Sequence, residues 1–171
     1  VLFAYDKFVG KQIGVGGDCN CGIYICLEIL KRVNNVKLLF TLDEEVGMVG
    51  AMEVEETFFK NVSFIAEPDR RSYTTDFITH TNGIDVCDET FTSQIAHIMK
   101  AFKYSINSGT ATDIGELKYN EKITAPAFNF SNGSLNEHFD DEIILLDHLQ
   151  NALLFLEKVI KEVGGVSHYF V

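Results

Sequence analysis

In this 171-residue chain, acidic residues and one histidine recur where apolar runs end. Asp18 follows the glycine-rich Gly14-Val15-Gly16-Gly17. Asp43, Glu44 and Glu45 follow VKLLFTL, and Glu67-Pro68-Asp69 follows NVSFIA. His138 lies in the turn SNGSLNEH after AFNF. Carboxylates brought together repel unless positive charge sits between them. Carboxylate oxygens plus an imidazole are donors suited to a divalent cation, with zinc or manganese fitting best. The adjacent pair Glu44-Glu45 adds a second chemistry. At a strand end successive side chains face opposite sides, so one carboxylate can hold a cation while its neighbour acts as general base towards water.

Positioning such groups requires elements that converge, and the apolar periodicity alternates strands with helices. The pattern predicts a helix over 21–33 with Ile23, Leu27 and Leu30 on its inner face, then a strand over 36–42. A weaker helix follows at 48–59, and strands at 61–66 and 76–81. An amphipathic helix spans 88–104 through Phe91, Ile95, Ile98 and Phe102. A strand is expected at 125–130 and a long helix at 141–163, stopped by Gly164-Gly165. Residues 110–116 and 131–136 read as turns. This alternation implies an α/β fold with a mostly parallel sheet between helices. In such sheets ligands collect outside the carboxyl ends of the strands, which would gather Asp18, Glu44, Glu45, Asp69 and His138 at one crevice.

Composition narrows the function. With 46% hydrophobic residues and only two prolines, the chain is globular rather than disordered. A net charge of −11 excludes nucleic acid and anionic membranes as partners. The apolar runs fall short of the roughly 20 residues that span a bilayer. Cys19, Cys21, Cys26 and Cys87 have neither disulfide-framework nor zinc-knuckle spacing; read as reduced thiols, they imply a cytoplasmic location. A dinucleotide reading of the glycine stretch fails because the third glycine of the fingerprint would fall at Cys19, and no phosphate-binding lysine follows.

The segments GVGGDCNCGIYICLEIL, LLFTLDEEVGMVGA, FIAEPDRRSYTTDFI and NFSNGSLNEHFDDE, in that order before a long helix, resemble the co-catalytic zinc metallopeptidases. That group includes bacterial aminopeptidases, peptidase T, and carboxypeptidase and deacylase relatives. The resemblance implies a zinc-exopeptidase-like layered α/β fold and two divalent metal ions, Zn2+ with Mn2+ or Co2+ as alternatives. It implies that Asp18 bridges the ions, Glu45 and His138 bind the second, and Asp69 binds the first with Glu67 as rival. Glu44 is then the general base, and the Asp18–Cys19 bond is cis. The implied activity is peptide-bond hydrolysis by an aminopeptidase acting on a peptide or small amide. The alternatives are an amidohydrolase or deacylase acting on N-acyl amino acids, or a domain without activity.

The sequence departs from the family pattern in two places. Gly17-Asp18-Cys19-Asn20 stands where the family reads Gly-x-Asp-Asp-Lys, and no histidine precedes Asp18 where a His-x-Asp segment is expected. The chain, starting at Val1, is therefore expected to lack N-terminal strands. Its tail SHYFV reads as a frayed end, the alternative being a strand that supplies His168 as a ligand. Residues 69–138 leave no room for a lid, so one catalytic domain is expected over 1–171. Asn132 and Gly133 are expected to donate to a substrate carbonyl, and Glu67 or Asp113 to read a free amine. Oligomeric state stays open.

Overall fold

The computed structural model describes residues 1–164 and, as backbone only, 168–170. In chain order the elements are β1 (Leu2–Asp6), β2 (Lys11–Ile13), α1 (Gly17–Arg32), β3 (Val36–Leu38), α2 (Val49–Glu53), β4 (Ile65–Arg70), β5 (Asp76–Thr81) and β6 (Ile84–Asp85). There follow α3 (Glu89–Phe102), β7 (Ser105–Gly109), α4 (Asp113–Tyr119), β8 (Ala127–Ser131), β9 (Ser134–Leu135), β10 (Ile143–Ile144), α5 (Leu146–Val163) and β11 (His168–Phe170). Among the described residues the main sheet runs β3-β11-β4-β8-β5-β6, with β7 also on β5. The β3, β11, β4 and β8 strands are mutually parallel, while β5 runs antiparallel to β8 and β6. A small antiparallel sheet, β2-β1-β10-β9, stands beside it. The fold is thus a mixed α/β sheet between helices, as the alternating pattern requires.

Strand periodicity splits the core into two layers. Phe64, Ala66, Phe128 and Phe130 join Ile25, Ile29, Ile95, Leu153 and Phe155 on the side of α1, α3 and α5. Ile65 and Ala127, one residue out of step, face Ala51, Ile114 and Leu117 on the side of α2 and α4. Phe128 stacks on Phe77 with ring centroids 4.4 Å apart. Fully burying such a side chain contributes about 1.5–3 kcal/mol, so this aromatic cluster dominates the larger layer.

Several expected boundaries move, each for a local reason. α1 buries Cys21, Gly22, Ile25, Cys26 and Ile29 and leaves Ile23, Leu27 and Leu30 exposed, the reverse of the expected face. Gly22 sets this choice: a Cβ there would lie 2.5 Å from the Pro68 carbonyl oxygen, so this side of the helix packs directly on β4. β3 ends at Leu38 because its partner β11 is three residues long. β4 runs on through Glu67-Pro68-Asp69, and its register shifts between Glu67 and Arg70, where the proline interrupts the ladder. The stretch expected as a turn at 110–116 instead starts α4, whose Thr112 side chain caps Gly115 N. The expected helix over 48–59 divides into α2 and a 3-10 turn at Glu56–Phe59, and α5 starts only at Leu146 because Ile143–Ile144 pair with β1 and β9. The tail is not frayed: 168–170 forms a strand between β3 and β4.

Candidate metal centre

Asp18 sits where α1 is kinked at its start: Gly16 adopts a left-handed φ of 70°, and Asp18 and Cys19 leave helical geometry. Buried Glu142 secures this bend. Its two carboxylate oxygens accept hydrogen bonds from Gly16 N at 2.6 Å and Asp18 N at 3.0 Å. The Asp18–Cys19 peptide bond is cis.

Glu44 and Glu45 lie in the turn after β3, closed by Met48 N donating to Glu44 O at 2.9 Å. They are not on the strand, so strand alternation does not direct them; the turn nevertheless leaves Glu44 half-buried and Glu45 exposed. Burial first, then the neighbouring Glu45, Asp113 and Asp18 charges, push the Glu44 carboxyl up to about 7. Asp69 is held on β4 by buried Asn129, which accepts from Asp69 N at 3.1 Å and donates to Asp69 O at 3.0 Å. Burial, reinforced by Asp18 and Glu44, moves its carboxyl up to about 7. His138, at a φ of 69° in the β9–β10 turn, brings Nε2 to 3.0 Å from Asp18 Oδ2 and 2.7 Å from Glu45 Oε1. The Glu45 hydrogen bond raises its affinity for a proton.

Asp18, Glu44, Glu45, Asp69 and His138 therefore line one crevice at the carboxyl ends of the parallel strands, about 240 Å3 in volume. Two donor groups share Asp18. In one, ligand atoms of Asp18, Glu45 and His138 lie within 4.8 Å of one another; in the other, those of Asp18, Cys19 and Asp69 do. The two arginines on the crevice wall are paired with other acids: Arg70 with Asp76 at 3.3 Å, outside the crevice, and Arg71 at 2.8 Å with Glu137, itself on the wall. Behind the crevice, Glu67 Oε2 and Asp113 Oδ1 are buried with no hydrogen-bond partner among the described residues. Carboxylates of Asp18, Glu45 and Asp69 that converge with an imidazole, while the arginines of the wall are paired with other acids, are a donor set that fits divalent cations.

Other expected residues fall outside the crevice. Asn132 is buried outside the crevice, its amide NH2 donating to the Pro68 carbonyl and its Oδ1 accepting from Ser134 N and Oγ, so it does not face a substrate. Gly133 N donates to Ser72 Oγ at 2.7 Å, and its φ of 108° serves the turn from β8 to β9. Asp113 accepts a hydrogen bond from Thr41 and lies behind Glu44, where its charge raises that carboxyl rather than meeting a substrate. Glu67 accepts from Ile114 N at 3.4 Å and is buried on the same side. His168 pairs in register with Val36, and Tyr169 with Ile65. That places His168 roughly 16 Å short of Asp69 at about 3.3 Å per residue; its side chain lies outside the described residues. The remaining histidines lie elsewhere: His80 meets Asp85, His97 meets Glu162, and His148 sits on α5.

Three contributors escaped the sequence reading: Cys19, Glu142 and Asn129. A polar asparagine inside the apolar run AFNF was the available signal for Asn129. Nothing in the acidic run FDDE distinguished Glu142 from its neighbours.

No known protein family and no curated protein matches the sequence at a significant level. Solved structures do. The aminopeptidase APDkam598 from the archaeon Desulfurococcus kamchatkensis superimposes with a TM-score of 0.63 at 20% identity, over 88% of this chain and 51% of that one. A TET aminopeptidase from the marine sediment archaeon Thaumarchaeota archaeon SCGC AB-539-E09 gives 0.64 at 17% identity, over 96% and 54%. The dodecameric PhTET1-12s gives 0.60 at 16%, over 91% and 52%. The chain shares their fold. It spans about half the length of these structures. No helix among the described residues is long and apolar enough to cross a membrane.

Proposed function

We propose that the chain carries the centre of a metal-dependent aminopeptidase, in which Asp18 is common to two divalent-cation sites. The carrying observation is the pair of donor groups meeting at Asp18, with the half-buried carboxyl of Glu44 on the same crevice wall. Glu45 and His138 would complete one site and Asp69 the other, with Zn2+ as the cation and Mn2+ or Co2+ as substitutes. When bound, such cations polarise the scissile carbonyl and acidify water. Glu44 takes the proton of the attacking water at its carboxylate and returns it to the leaving amine nitrogen. Its half-buried carboxyl lines the crevice beside Asp18 and Glu45, where it can take and return that proton. The fold shared with aminopeptidases supports this reading.

The test is Glu44→Gln assayed on aminoacyl amides and on acyl-amino acids. Cation content should be retained while aminoacyl-amide turnover falls about 10²- to 10⁴-fold. Unchanged turnover removes the base assignment, and preference for acyl-amino acids replaces the aminopeptidase with a deacylase.

A further inference from the structure

β3 and β7 are both outer strands of the main sheet, but β3 is half-buried and β7 is open. Among the described residues β7 pairs only with β5, in parallel, and Ser105, Ile106, Asn107 and Ser108 are all exposed. A strand paired on one side leaves a row of N–H and C=O groups unpaired on the other. Edge strands are commonly blunted by proline, by charge or by a covering element, yet SINSG carries neither proline nor charge. Ile106 pairs in register with Phe77, which places it on the α3 and α5 face of the sheet, and it is nonetheless 55% exposed.

Beside that edge, between β7 and α3, lies a groove of about 690 Å3 lined by Ala96, Met99 and Ile106 together with Lys100 and Lys103. The two lysines set it apart in charge. Among the described residues they are the only cationic side chains that no acid, carbonyl oxygen or aromatic ring meets. Acids outnumber lysines and arginines 25 to 14 in this chain, so composition alone does not account for two cations left over side by side. None of the groove residues lines the crevice of the metal centre.

We propose that the free edge of β7 and this groove dock an extended acidic peptide as an added strand. The peptide backbone supplies the missing N–H and C=O partners, its alternate apolar side chains enter the groove over Met99 and Ile106, and its carboxylates meet Lys100 and Lys103. At physiological ionic strength the Debye length is about 8 Å, so a peptide on this edge feels the two lysines and little of the chain's remaining negative charge. Charge also selects this occupant over a second copy of the chain. Pairing β7 with its own copy would join two bodies of net charge −11, and SINSG offers no carboxylate to the lysines.

The probe is an eight-residue peptide alternating glutamate and valine, fluorescein-labelled at its amino end and amidated at the other, with the lysine–valine peptide as control. Each is titrated by fluorescence anisotropy in 0.1 M salt. The glutamate peptide should bind at least about 10-fold more tightly than the lysine peptide, and the double variant Lys100→Glu, Lys103→Glu should reverse that order. Both lysines are exposed, so the double variant leaves the core untouched. Hydrogen exchange in the complex should slow at the amides of Ser105–Gly109 and stay unchanged on β3. No binding of the glutamate peptide, equal binding of the two peptides, protection on β3 instead of β7, or wild-type affinity in the double variant overturns the proposal. Amides of β7 that are protected in the free chain and lose that protection on dilution make a second copy the occupant and overturn it as well. The exchange map uses the wild type alone, so a misfolded variant does not blunt the test.

Discussion

Glu142 is the support on which Asp18 rests, and replacing it by glutamine isolates that role. The carboxylate is 4% exposed and accepts from two backbone amides, Gly16 N at 2.6 Å and Asp18 N at 3.0 Å. Glutamine keeps one acceptor oxygen and turns an NH2 towards the other amide, leaving two donors facing each other. The side chain has no room to swing aside, because a Cβ on Gly17 would already lie 3.2 Å from Glu142 Oε1. A hydrogen bond to a charged group is worth about 1.5–3 kcal/mol, and an orphaned buried donor costs about 1–3 kcal/mol. Glu142→Gln should therefore destabilise the chain by about 2–4 kcal/mol. With a urea slope of about 2 kcal/mol/M for a chain of this size, the unfolding midpoint falls by about 1–2 M. Calorimetry should also show weaker zinc binding, since the bend carrying Asp18 loosens. Leu156→Ala, a core change on α5, should cost a similar 2–5 kcal/mol and leave zinc affinity alone. A loss below about 0.5 kcal/mol in Glu142→Gln, or equal effects of the two variants on zinc affinity, refutes the assigned role.

Two further outcomes follow from local geometry. Gly133→Ala places a Cβ 2.8 Å from Leu149 N in a backbone conformation that alanine rarely adopts, so it should cost roughly 2–4 kcal/mol in a denaturant titration; a neutral result would mean that the β8–α5 junction is loose. Burial pushes Asp76 up, but hydrogen bonds from Thr74 and Asn107 and the Arg70 guanidinium outweigh it and hold the carboxyl below its usual range. The folded protein therefore binds that proton less readily than the unfolded chain. Its stabilisation is present above pH about 4 and is lost as pH falls further. Asp76→Asn should lower stability at pH 7 by about 1–3 kcal/mol and flatten the loss of stability below pH 4, as read by urea titrations at both pH values.

The strands that carry the centre were legible because their apolar runs are short and end abruptly in acid. Asp69 and Glu67 could be placed from NVSFIA alone, and His138 from the turn after AFNF, since a chain leaving a parallel strand must emerge at the crevice. The inner face of α1 was not legible. CGIYICLEIL is apolar on most sides, so Ile23, Leu27 and Leu30 satisfy helical spacing as well as Cys21, Ile25 and Ile29 do. The choice is made by Gly22, whose missing side chain permits contact with β4. Nor could the tail be placed. Three residues gain strand geometry only through β3 and β4 on either side, a non-local pairing that leaves no mark in SHYFV. The substrate-facing assignment of Asn132 and Gly133 failed for a related reason: a turn rich in hydrogen-bonding groups spends them internally when it must join one strand to the next in a buried place.

Zinc titration of the wild-type chain beside Asp18→Asn, followed by calorimetry, examines the shared carboxylate most directly. The wild type should take up two equivalents, and the variant should lose affinity at both sites together, because one side chain serves both. Uptake of two equivalents by Asp18→Asn with wild-type affinity, or no uptake by the wild type, contradicts the account.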